Sequence, residues 1–376
     1  MTRQPHVWLM VVMVSMTAPR AVAGEARTYE LARSLQMLQD QAVNGSDIAL
    51  AEQPRILDRL SAEIALEAPA QLSDPRNVRA LAIYLVNGGA PAVVRRLLAT
   101  TTEFGPHQTV IRALLAFAER QPDAGKLLSQ LDAMALEPGI GGPVALAQGM
   151  AFQADPAKAK PLLAVARLLA PGTLIEEAAL RREITMLLAE TKNGEAIERA
   201  TRYLWKFGSS VYATDVAAYF ATSVLPGFVA PTGMVTDQVQ NFLAALPEPS
   251  RRALLLDMAK AGILDGRMGI AALASRQSAA LGAGSGAEQA RADIYAAIAT
   301  AFGRDGDGAS DQLIAIDRGQ LHDAELGMLD AALAVAGQIP ATPRVEPAAD
   351  GDAPAVIVAA RTVVARADRS LAEVSQ

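Results

Sequence analysis

Thr173-Leu174-Ile175-Glu176-Glu177-Ala178-Ala179-Leu180-Arg181-Arg182-Glu183-Ile184-Thr185-Met186-Leu187-Leu188-Ala189-Glu190-Thr191-Lys192-Asn193-Gly194 reads as one helix with both ends marked. Thr173 and Glu176 have the spacing of a capping box, in which each side chain satisfies a free backbone N–H of the first turn. Leu180, Ile184, Leu187 and Leu188 then fall on one face, and Asn193-Gly194 is the stop. Glu177 and Arg181 stand at i, i+4, the spacing of an ion pair on an exposed face, worth a few tenths of a kcal/mol.

The same grammar recurs on both sides. Leu31, Leu35, Leu38 and Ala42 form a stripe that Asn44-Gly45 ends, and Ile56, Leu60 and Ile64 form another. Asp74-Pro75 and Asp155-Pro156 are N-caps followed by proline at the first helical position. Val78, Leu81 and Leu85 follow the first of them, and Gly88-Gly89 closes that helix. Ile197, Ala200, Leu204 and Phe207, then Val216, Phe220 and Val224, then Ile294, Ile298 and Phe302, continue the pattern. Aromatic residues make up only 4% of the chain, so the components of β-sheet are scarce and helix formers abundant.

The expected fold class is therefore all-α. Loops of two to six residues make consecutive helices antiparallel neighbours, and about fifteen of them exceed what one bundle core accommodates. The expected architecture is a right-handed α-solenoid of stacked hairpins, tetratricopeptide-like. Ala157, Ala159, Ala164 and Ala166 supply small residues for close helix contact.

At the N-terminus Arg3 precedes an apolar run from Val7 to Met16, and Ala21-Val22-Ala23 has the small residues of a cleavage site. The run is about half the roughly twenty apolar residues that a spanning helix needs. Residues 1–23 are expected to be a secretory signal cleaved after Ala23, with the rest of the chain in the periplasm and no later membrane insertion. Cleavage removes Arg3 and Arg20 and no acid, moving the net charge from -6 to -8, which disfavours nucleic acid as a partner. The absence of cysteine excludes a lipoprotein anchor, disulfides, a thiol nucleophile and thiolate metal sites. The remainder divides into a helical-repeat domain over 24–338, a Pro/Ala/Asp-rich linker over 339–354 and an amphipathic helix or tail over 355–376, carried by Val356, Val363, Ala367, Leu371 and Val374. That tail either docks back on its own array or is offered to a partner groove.

No constellation of catalytic residues stands out. After signal removal His107 and His322 are isolated from each other, which argues against a zinc site. Gly282-Ala283-Gly284-Ser285-Gly286 misses the spacing of a nucleophile elbow or a dinucleotide loop and reads as an inter-helix loop. Asp305-Gly306-Asp307-Gly308 has Ser310 and Ile316 where a calcium loop needs glycine and a bidentate glutamate, so the two aspartates read as helix caps. No cofactor is expected, and no catalytic or metal residue is assigned. Tyr203, Trp205, Phe207 and Tyr212, the densest aromatics in the chain, together with Arg181 and Arg182, are the candidate partner-binding residues.

Three stretches also carry a resemblance. Arg33-Ser34-Leu35-Gln36 with Gln39-Asp40, then Asp74-Pro75-Arg76-Asn77-Val78 leading to Tyr84, then Ala170-Pro171-Gly172-Thr173 continuing through Arg182 resemble, in that order, the MotC family of periplasmic motility proteins of rhizobial flagellar systems. Tyr203, Phe207 and Tyr212-Ala213 fall in a segment similar to that family, and the likeness spans about Thr28 to Ile339. It implies a non-enzymatic helper of flagellar rotation that binds the periplasmic part of the stator protein MotB. Alternatives are a general periplasmic scaffold or chaperone-like protein in envelope assembly and, from another class, a peptidoglycan-lytic enzyme acting through one buried glutamate.

Overall fold

The computed structural model describes residues 28–66, 74–100, 107–137, 139–229, 236–282, 284–302 and 309–336. Among these residues every regular element is helical. The helices are α1 (Thr28–Val43), α2 (Asp47–Leu66), α3 (Pro75–Val86), α4 (Pro91–Thr100), α5 (Gln108–Ala118), α6 (Ala124–Leu128), α7 (Gly141–Ala151), α8 (Pro156–Leu169) and α9 (Leu174–Ala189). They continue as α10 (Asn193–Phe207), α11 (Ala213–Tyr219), α12 (Asp237–Ala244), α13 (Glu248–Leu264), α14 (Met268–Ala280), α15 (Gly286–Ala301), α16 (Ala309–Ile314) and α17 (Asp323–Ala336). A π-turn at Phe220–Val224 and a 3-10 turn at Leu225–Phe228 extend α11. The chain forms two compact units, one up to Gly284 and one from Ser285. The signal segment, the Asp305–Gly308 run, the linker and the tail lie outside the described residues.

Local signals set most helix ends. Asp74 accepts a hydrogen bond from Arg76 N with Pro75 in the first position, and Asp155 accepts from Lys158 N with Pro156 behind it. Asn87 and Gly88, the latter at φ +85°, end α3, and Gly89 N returns to the Tyr84 carbonyl at 2.8 Å. Three ends differ from their sequence reading. Thr173 makes no cap: its hydroxyl donates to Ala170 O at 2.7 Å, while Glu176 accepts from Gly172 N at 2.6 Å. The turn after α9 is closed by Thr191 at φ +59°, and Asn193-Gly194 begins α10. The reciprocal box forms instead at Ser285 and Glu288, so the glycine-rich run ends in a helix start, with Gly286 as the first residue of α15.

In the first unit several consecutive helices pair, α1 with α2, α7 with α8, α9 with α10 and α13 with α14. α1 also meets α9, and α3, α5 and α9 all meet α7, a closure that a stack touching only its nearest neighbours would lack. The centre is α7, enclosed along Gly141–Gly149 and apolar almost all round, as a fully surrounded helix must be. Its one buried amide, Gln148, is satisfied by donating to the carbonyls of Leu128 and Leu131, both at 2.9 Å. Small residues set the spacing: a methyl on Gly149 would lie 2.5 Å from the Leu163 side chain of α8, whose Ala159 and Ala166 are buried. Buried Arg252 of α13 donates to the carbonyls of Ser278, Leu281 and Gly282, satisfying the free end of α14.

The turn after α1 carries a long-range contact. Val211 N donates to Ala42 O at 3.1 Å, and Gly45 has φ +95° with the Ser209 carbonyl 2.6 Å from where a Cβ would stand. Gly45→Ala is expected to lower stability by about 1–3 kcal/mol, from left-handed strain and this overlap together. A urea midpoint equal to that of the wild type would contradict it.

The second unit is held by a buried pair. Tyr295 of α15 donates to Glu325 of α17 at 3.1 Å, and Arg291 approaches the same carboxylate at 3.4 Å.

Candidate functional site

α9 mixes apolar and charged residues around its circumference because both of its faces are used. On the side toward α8 and α10 the acids are buried. Glu183 accepts from Arg167 of α8 at 3.0 Å and from Arg199 of α10 at 2.5 Å, a clasp across three helices. Glu176 receives Lys206 of α10 at 2.6 Å, and Glu177, fully buried, accepts from the Tyr203 hydroxyl at 2.8 Å. The exposed Glu177–Arg181 pair read from the spacing is therefore corrected: Glu177 faces inward, because α10 supplies a hydroxyl and a cation to the face where the acids stand.

Burial pushes the Glu177 carboxyl above its usual range, offset in part by the Ser210 and Tyr203 hydroxyls and the Arg181 charge. Burial and the adjacent Glu177 also raise the Tyr203 phenol. An acid raised in the folded state keeps its proton where the unfolded chain has released it. Stability therefore falls as pH rises from the ordinary glutamate range through the higher folded value. Glu177→Gln is expected to flatten that decline, read as Tm against pH from about 4 to about 7. Parallel curves for variant and wild type would contradict this.

The other side of α9 lines a groove of about 820 Å³. Leu174, Ile175, Ala178, Arg181, Thr185 and Leu188 face it at helical spacing. Met150 of α7 and Val216, Tyr219 and Phe220 at the end of α11 contribute to the remaining wall, with Arg182, Tyr212 and Asp215 also lining it. The Arg181 guanidinium lies 4.4 Å over the Tyr212 ring. Tyr219 is 51% exposed, and Phe220, beside it, begins the π-turn, a distortion frequent at functional sites. The arrangement is an apolar trough with two guanidinium groups and aromatic walls, suited to holding an apolar segment.

Of the six candidate residues the structure gathers Arg181, Arg182 and Tyr212 in this groove. Tyr203 and Phe207 are corrected: both are buried, their rings 5.9 Å apart, and present no surface to a partner. Trp205 projects outward, 68% exposed, and lies outside the groove. Met150, Asp215, Tyr219 and Phe220 were missed, since nothing in their local sequence says that α11 stands across a groove from α9. His107 stands at the start of α5, 3.5 Å from Glu137, and exposed His322 precedes α17. Among the described residues no group of three His, Asp or Glu could hold a metal ion, and no helix is long and apolar enough to cross a membrane.

Fold and groove define, among the described residues, an all-helical protein with an open, partly apolar groove. The family model of chemotaxis protein MotC matches residues 1–375, and this chain belongs to that family. A curated relative, chemotaxis protein MotC of Rhizobium meliloti (strain 1021), is 29% identical over 333 residues, which covers 88% of this chain and 76% of the relative. No solved structure matches the chain.

Proposed function

We propose that this chain is a non-enzymatic, exported motility protein that binds the periplasmic part of the stator protein MotB and so supports rotation of the flagellar motor. Membership of the MotC family along nearly the whole chain carries this reading. The signal-like residues 1–23 support export, and the paired consecutive helices are consistent with a stacked helical-hairpin scaffold whose surface is the working part.

Deleting the gene and tracking tethered cells tests the proposal. Cells are expected to build filaments of normal length that fail to rotate normally, with recovery when the gene is restored. Normal rotation in the deletion strain overturns it. Capture of envelope enzymes by the tagged chain, with MotB absent from the capture, would point to a general scaffold instead.

A further inference from the structure

The arginines on the two sides of α9 differ in their partners. Arg167 and Arg199 share the Glu183 carboxylate. Among the described residues Arg181 and Arg182 form no ion pair, although Asp215 lines the same groove. Arg181 stacks on Tyr212, and its enclosed Nε meets no hydrogen-bond acceptor. The acid one turn before it, Glu177, makes no ion pair with it and accepts its hydrogen bond from the Tyr203 hydroxyl.

Two guanidinium groups thus stand over an apolar floor, Arg182 with no ion pair among the described residues and Arg181 balanced only in part by the charge of buried Glu177. A purely apolar occupant would cover them and leave their donors unsatisfied. A carboxylate would meet the guanidinium fork and satisfy it. The net charge of -6 disfavours close approach to an anionic membrane, so a protein segment fits better than a lipid.

We infer that the groove between α9 and α11 seats an apolar segment of the partner protein that carries a carboxylate side chain paired with Arg181 and Arg182. The inference rests on the function proposed above and names the surface and the chemistry by which that partner is held. Tyr219, half exposed at the edge, supplies the aromatic wall against which the apolar side chains pack.

Calorimetric titration of the full chain with the periplasmic fragment of MotB tests it. Arg182→Glu reverses an exposed charge, and Thr185→Trp fills the trough from an exposed position, so neither threatens the core. Arg202→Glu makes the same charge reversal at an exposed site outside the groove. Both groove variants are expected to bind at least about tenfold more weakly with unchanged circular dichroism, and Arg202→Glu within about twofold of the wild type. A wild-type affinity in both groove variants overturns the inference and leaves the proposed function standing. No binding of the fragment by the unaltered chain overturns both. Binding of phosphatidylglycerol vesicles by the unaltered chain, lost in Arg182→Glu, overturns the inference by making the groove a lipid site.

Discussion

Replacing Glu183 by alanine lowers the unfolding free energy by about 3 kcal/mol, read as a shift of the urea midpoint at unchanged slope. The carboxylate is buried, whereas Arg167 and Arg199 each keep about 30% of their side-chain surface. Alanine leaves two guanidinium groups converging on the space that the acid occupied, repelling each other and partly cut off from water. Most of the loss is this stranding and not the attraction itself, which desolvation largely offsets. Replacing Glu183, Arg167 and Arg199 together by leucine or methionine therefore recovers much of the stability. A triple variant as unstable as Glu183→Ala would show that the clasp works by attraction. The single variant also loosens α9 against α8 and α10, and with it one wall of the groove.

Phe220→Ala costs about 4 kcal/mol, the range for deleting a buried aromatic ring. Its ring stacks on Phe242 of α12 with centroids 5.2 Å apart and meets Tyr219 edge-on at 6.3 Å. It is also where α11 passes into the π-turn and where the chain lines the groove wall. Alanine leaves a cavity that neighbouring elements fill only in part, so stability and partner binding fall together. Phe220→Leu keeps most of the volume and is expected to cost less than about 1.5 kcal/mol. Equal losses for leucine and alanine would mean that the ring's edge and face contacts, and not its volume, matter here.

What the sequence made legible is what a few neighbouring residues decide. Asp74-Pro75 and Asp155-Pro156 start helices because an aspartate oxygen and a proline act within one turn, and Gly45 stops α1 because its own φ is positive. The stripes of α3 and α10 are buried as their periods require, and that of α1 is buried at Leu31, Leu35 and Ala42, with Leu38 half-buried. Helical period also separates Tyr203 and Phe207, four residues apart and inward, from Trp205 between them and outward.

The acids of α9 were not legible. A Glu-Glu-x-x-x-Arg-Arg run has the same local spacing on a solvated face as in a buried clasp, and what distinguishes the two comes from distant residues. Lys206 is 30 positions from Glu176, and Arg167 and Arg199 lie 16 on either side of Glu183. Thr173 fits a capping box by type and spacing, yet Gly172 at φ +78° turns its own N–H toward Glu176 and takes the acceptor. The groove depends on α11, packed on α10 and α13, standing across from α9, a matter of tertiary packing. Only Arg181, Arg182 and Tyr212 were singled out, because arginine and tyrosine suit interfaces by chemistry alone.

The central claim is that this chain works by holding another protein on its surface. Sedimentation velocity of the chain mixed with the periplasmic fragment of MotB measures that directly. A boundary faster than either component alone, growing with concentration until the chain is saturated, is the predicted result. Two boundaries that sediment independently at every ratio would contradict it.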